Sequence, residues 1–179
     1  MNKNSIQMIL VLLAFVVIAA LAISFTHDKT KDKIEMRALE AQEFSLKSVL
    51  SRGSTAKIDS VEGFGEFWRA FDASGKHIGY AFICMANGYS SKIKFFCGID
   101  LEGKVKGISI ISQNETPGLG TRVEEPWFSE QYVGVSALGK MSDKITVITG
   151  ATITTEAVNY ELSKRARLLL SLVKEANNE

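Results

Sequence analysis

The chain of 179 residues has few of the side chains from which a self-contained metal or redox centre is built. Its two cysteines, Cys84 and Cys97, match no zinc, haem or iron–sulfur spacing, and its two histidines, His27 and His77, lie far apart in sequence. Charge of one sign is also missing. Lysine and arginine number 21 against 20 acidic residues, for a formal net charge of +1, and the basic residues are scattered along the chain. That balance excludes an electrostatic footprint for nucleic acid. No carboxylate pair is placed for general acid–base work, no Ser/His/Asp arrangement is recognisable, and there is no internal repeat or low-complexity tract.

One absence is local and informative. No charged residue lies between Lys3 and Asp28, and Met8 to Ile23 is wholly apolar. As a helix, Ile6 to Phe25 measures about 30 Å at about 1.5 Å per residue, the thickness of a bilayer's hydrocarbon core. A transmembrane anchor is expected over residues 1–27. A cleaved signal peptide is the alternative, since Ala20-Leu21-Ala22 resembles a small-residue cleavage site. The uncharged stretch is long for a signal peptide, however, and only Lys3 precedes it, which favours an uncleaved anchor. Lys29, Lys31, Lys33 and Arg37 follow the span, which by flanking charge alone puts the remainder in the cytoplasm. Long domains translocate largely regardless of such charges.

From Asp28 to Leu50 there is no Gly or Pro, and Ile34, Ala38, Ala41, Phe44, Val49 and Leu50 recur at loosely helical spacing, so a stalk helix is expected over 28–52. Ser51-Arg52-Gly53-Ser54 supplies the stop. Residues 53–179 then form one domain. Aromatic and β-branched stretches at Phe64 to Phe71, Ile78 to Met85, Ile93 to Ile99 and Val105 to Ile111 read as an antiparallel meander, joined at Ser74-Gly75, Asn87-Gly88 and Glu102-Gly103. A polar loop, Gln113 to Gly120, breaks the pattern. A short helix near Trp127 to Tyr132 and a last strand over Lys144 to Ile148 are expected next. A helix from Thr155 to Ala176 closes the chain, with Val158, Leu162, Ala166, Leu169 and Val173 on one face to pack on the sheet, and Thr154 or Thr155 as its cap. The fold class is α+β: an N-terminal transmembrane helix and stalk helix, then an antiparallel sheet packed against a C-terminal helix.

Thr149-Gly150-Ala151-Thr152-Ile153-Thr154 joins an extended segment to a helix start. Unpaired amides and the positive end of the helix dipole converge there with hydroxyls, a place suited to phosphate, and small Gly150 and Ala151 let a bulky ligand approach. A plain helix cap is the alternative reading of the same residues.

Thr149-Gly150-Ala151-Thr152 resembles the Ser/Thr-Gly-Ala-Thr motif of the FMN-binding domain family, and Glu115-Thr116-Pro117-Gly118-Leu119-Gly120 resembles a second motif of that family. Gly88-Tyr89, Ile93 and Gly98-Ile99-Asp100 resemble its hairpin. Within the family the resemblance is to electron-transport subunits. It points to the G subunit of the Rnf complex, the ion-translocating ferredoxin:NAD oxidoreductase, with the C subunit of the sodium-pumping NADH:quinone reductase as the alternative. An alternative of another class is a membrane-anchored structural or binding module without flavin.

The resemblance implies FMN joined by a phosphoester to Thr152, with Thr149, Gly150, Ala151, Glu115, Thr116, Gly118 and Leu119 as further cofactor-binding residues. It implies no catalytic residues of the chain's own and a role as one subunit of a membrane-bound oxidoreductase. Partners would be the other membrane and peripheral subunits, a flavin transferase for maturation and membrane lipid. The domain would face the outside of the cytoplasmic membrane. An ester at the phosphate leaves the flavin ring chemically unmodified while keeping the cofactor from diffusing away. Tyr89 and Trp127 are candidates to stack on the ring. The family's usual Asp six residues before the acceptor is here Thr146, with Asp143 further upstream. Cys84 and Cys97 read as buried apolar residues, or as a disulfide if the domain is extracytoplasmic.

Overall fold

The structure is a computed structural model that describes residues 3–50 and 54–176. The Ser51-Arg52-Gly53 stop lies outside the described residues. With no Gly or Pro to interrupt it, Lys3–Val49 forms a single helix, α1. Gln7–Phe25 within it is long and apolar enough to cross a membrane. The chain divides into two compact units, residues 1–41 and 42–179, so the last two turns of α1 belong to the second.

In that second unit five strands follow in simple meander order, each antiparallel to the next: β1 (Thr55–Val61), β2 (Gly65–Phe71), β3 (His77–Asn87), β4 (Lys92–Asp100) and β5 (Val105–Ser112). Turn chemistry explains the short connections. The Asp72 carboxylate accepts from the amides of Ser74 and Lys76 at 2.9 and 3.0 Å, and that of Asp100 accepts from Glu102 and Lys104 at 3.0 and 2.8 Å. Such self-bonded Asx turns make hairpins of low entropy. After β5 come the short helix α2 (Pro126–Glu130), an irregular stretch and the closing helix α3 (Thr152–Ala176).

One sheet face packs against α3. The five α3 positions expected to face inward, Val158, Leu162, Ala166, Leu169 and Val173, are all buried in a core with Phe67, Phe82, Phe95 and Ile99. Cys84 and Cys97 lie in the same core as free thiols, and burial pushes both well above the ordinary thiol range. They are inert apolar filling, and no disulfide joins them.

The other sheet face receives the end of α1. Gly98 on β4 pairs directly with Gly107 on β5, leaving a notch without side chains. Val49 fills it and packs with Trp68, Ala81 and Phe96. A Cβ on Gly98 would lie 2.3 Å from the Val49 carbonyl oxygen, whereas one on Gly107 would meet nothing nearer than 3.3 Å.

Several expectations need correcting. β1 was not anticipated: it is an edge strand carrying Lys57 and Asp59, with no buried residue to announce it. Residues 144–148 are not a strand. Ile145 and Ile148 are both buried, and a spacing of three cannot place two side chains on one face of a strand. α3 begins at Thr152, so neither Thr154 nor Thr155 caps it. Phe44 points outward at 72% exposure, and the buried residues of this α1 segment are Ser45 and Val49, one helical step of four apart.

The Gly98–Val49 contact yields a ranked test. Gly98→Ala must displace backbone and should lower unfolding free energy by about 1–3 kcal/mol, the usual cost of overpacking. Gly107→Ala should cost less. Denaturant titration of the two variants beside the parent checks the order.

Candidate functional site

A cavity of about 550 Å³ opens where the Glu115–Gly120 loop meets the start of α3, lined by Tyr89, Glu115, Thr116, Leu119, Gly120 and residues 150–154. Each wall has a local cause. Gly150, at φ +80°, turns the chain into α3, and a Cβ there would lie 2.9 Å from the Leu119 side chain, so the loop rests directly on the helix start. Ala151, the residue just before the helix, has no side-chain oxygen to cap it. The amides of Thr152, Ile153 and Thr154 consequently form no hydrogen bond among the described residues. The Thr152 side chain is exposed and its hydroxyl is likewise without a partner among the described residues.

The floor is ionic. Glu115 is 4% exposed, yet its carboxylate is saturated with donors. Oε1 accepts from the amides of Ser90 and Ser91 at 3.0 and 2.8 Å and from the Ser91 hydroxyl at 3.2 Å. Oε2 accepts from the Tyr89 amide at 3.1 Å and the Thr154 hydroxyl at 2.7 Å. Glycines make room on two sides: a Cβ on Gly88 would lie 2.6 Å from Oε1, and one on Gly120 2.8 Å from Oε2. Burial opposes ionisation of Glu115, but the Thr154 hydroxyl and the amides of Ser91, Ser90 and Tyr89 outweigh it and hold the carboxyl below its ordinary value.

Of the residues singled out in the sequence, Thr152, Gly150, Ala151, Glu115, Thr116 and Leu119 line this cavity. Thr149 and Gly118 do not. Thr149 is exposed just before the turn, and Gly118, at φ +74°, shapes the loop while its amide donates to the Thr121 hydroxyl at 3.0 Å. Tyr89 stands at the rim, 70% exposed. Trp127 is not among the lining residues: its indole donates to Glu125 and its ring lies under the Arg122 guanidinium. Thr146 is exposed, and its amide donates to the Gln131 side chain at 2.7 Å. Thr154, Ser90 and Ser91 were missed. A threonine placed two residues after an exposed one on a helix falls on the inward face, which is the one signal that could have found Thr154.

The apolar rim of Tyr89, Leu119 and Ile153 beside free amides and a free hydroxyl suits a flat aromatic ligand carrying a phosphate. Comparison with known proteins agrees. Residues 88–164, which include all of these groups, match the model of the FMN-binding domain family. The chain is 27% identical over 190 aligned residues to the G subunit of the Na(+)-translocating ferredoxin:NAD(+) oxidoreductase complex of Acetobacterium woodii, covering 92% of this chain and 91% of that one. It is 36% identical over 109 residues to the proton-translocating counterpart from Clostridium ljungdahlii, covering 57% and 58%. A crystal structure of the C subunit of Na(+)-translocating NADH-quinone reductase from Parabacteroides distasonis shares the fold with TM-score 0.55 at 17% identity, over 79% of this chain and 96% of that one.

The saturated carboxylate implies a pH dependence with a definite sign. Because the folded pKa of Glu115 lies below its ordinary value of 4.5, its contribution to stability is complete above about that pH and is lost as pH falls through the lower, folded value. Thermal unfolding followed from pH 7 downward should show the parent losing stability more steeply below pH ~4.5 than Glu115→Gln, which lacks the titrating group. Parallel curves would contradict this assignment.

Proposed function

From this chain's resemblance to the FMN-binding domain family, and within it to the G subunit of ion-translocating oxidoreductase complexes, we propose that it carries FMN covalently, its phosphate esterified to the Thr152 hydroxyl. The observation that carries the reading is the uncapped start of α3. There, three amides and one hydroxyl without a partner among the described residues face a cavity. These donors and the positive helix end stabilise a phosphate, and Thr152 Oγ1 is the ester oxygen. Gly150 and Ala151 admit its approach, with Thr149 flanking the turn. Leu119, Tyr89 and Ile153 exclude water from a flat ring, Thr116 offers a hydroxyl for its polar edge, Gly118 shapes the loop, and Glu115 closes the floor. Bound flavin supplies reversible electron transfer, which the protein's own side chains do not.

The chain acts as one electron-transfer subunit of an Rnf-type complex, alongside the other membrane and peripheral subunits and with a flavin transferase for maturation. The isolated chain turns nothing over. The apolar helix Gln7–Phe25 holds it in the lipid of the cytoplasmic membrane with the domain outside. Support for this arrangement is the length and apolarity of the helix together with the ion-translocating complexes to which the relatives belong.

Two measurements test the proposal. Intact mass and in-gel flavin fluorescence of denatured protein, expressed with a flavin transferase, should show an adduct in the parent and none in Thr152→Val. An unmodified parent, or an adduct that survives the substitution, would overturn the attachment. For sidedness, a cysteine replacing exposed Tyr160 should react with an impermeant reagent in intact cells. Reaction only after lysis would place the domain inside.

A further inference from the structure

The cavity described above depends on which way the first turn of α3 faces, and nothing at its N-cap decides that. Ala151 cannot cap, so this turn lacks the side-chain bond that ordinarily stops a helix start from fraying. It is held from inside instead. The Thr155 hydroxyl accepts from the Ile148 amide at 3.3 Å and donates to the Ala151 carbonyl at 3.1 Å. The Thr154 hydroxyl, on a residue 1% exposed, donates to Glu115 Oε2 at 2.7 Å.

Successive residues of a helix turn by about 100°, so Thr152 stands about 200° around the axis from Thr154. Tying Thr154 to a buried carboxylate therefore aims Thr152 away from the core and into the cavity. The same carboxylate holds the amides of Tyr89, Ser90 and Ser91, which places the Tyr89 ring at the rim opposite the helix start. Because all its strong acceptor positions are used within the protein, Glu115 has little left to offer a ligand directly.

We propose that Thr154 and Glu115 are positioning residues for flavin attachment: their buried hydrogen bond sets the rotation of the first turn of α3, and so presents the Thr152 hydroxyl to the incoming phosphate. The inference rests on the attachment at Thr152 proposed above and deepens it. In the step served, the Thr152 oxygen forms a new P–O bond to the FMN phosphorus as the P–O bond to the leaving group of a flavin phosphoanhydride breaks. The hydroxyl proton leaves to solvent or to the transferase, and nothing is oxidised or reduced. Thr154 and Glu115 take no part in those bonds.

The test uses the full-length chain co-expressed with a flavin transferase, comparing the parent with Thr154→Val, Thr154→Ser and Glu115→Gln. Covalent flavin per protein is read by intact mass at a short, fixed induction time, and near-ultraviolet circular dichroism reports whether each variant is folded. Valine keeps the shape and loses the donor, so occupancy should fall at least tenfold in a folded protein. Serine restores the hydroxyl and should return it to within twofold of the parent, a rescue that a purely packing role for Thr154 would not show. Should Thr154→Val fail to fold, Glu115→Gln carries the test, with the same tenfold loss expected because an amide cannot accept from all the donors. Folded Thr154→Val or Glu115→Gln loaded within twofold of the parent would overturn the inference while leaving attachment at Thr152 intact. A parent that carries no covalent flavin would instead bring down the attachment itself, and this inference with it.

Discussion

The buried carboxylate of Glu115 is the point at which three segments distant in sequence meet. It gathers the amides of the turn between β3 and β4, lies in the loop after β5, and takes a hydroxyl from the first turn of α3. A charge at 4% exposure is tolerable only when its lone pairs are satisfied, and here every donor comes from the protein. Remove the carboxylate and three amides and two hydroxyls lose an acceptor together. The cavity has no other ionic group in its lining. Its shape therefore follows from how this one group is solvated by the fold.

Around it the rest of the domain supplies rigidity. α3 lies on one face of the sheet through a continuous apolar stripe, and the end of α1 is pressed into the glycine notch on the other. The two layers leave the cavity at the loop end of the sheet, where apolar rim residues and unpaired helix amides can coexist. That division of labour suits an electron carrier. On the proposed reading, the scaffold would hold a flavin in one orientation.

Much of this was legible in the sequence, and the exceptions have physical causes. The inward face of α3 could be read because Val158, Leu162, Ala166, Leu169 and Val173 keep helical spacing, and the hairpins because glycine marks their turns. β1 escaped because it is an edge strand with a weak apolar pattern, Ile58 being exposed and Ala56 and Val61 only partly buried. The stretch 144–148 misled because β-branched residues look like a strand, yet the Thr146 and Ile148 amides there go to the Gln131 and Thr155 side chains and those of Lys144 and Ile145 to the Met141 carbonyl. The two motif segments stood out singly, and the structure brings them to one cavity. What binds Glu115 could not be read, since most of its partners are backbone amides, which every residue but proline has. Thr154 was hidden for a related reason: its role depends on the helix starting three residues earlier than the sequence pattern indicated.

The central claim is that a phosphate ester forms at one particular threonine among several. Trypsin would release Ile145 to Lys164 as one peptide, which contains Thr146, Thr149, Thr152, Thr154 and Thr155. Fragmentation mass spectrometry of that peptide, from chain purified out of membranes that contain the flavin transferase, tests the claim most directly. The expected result is an FMN phosphate located on Thr152 and on no other residue. An unmodified peptide, or flavin located on Thr149 or Thr146, would contradict it.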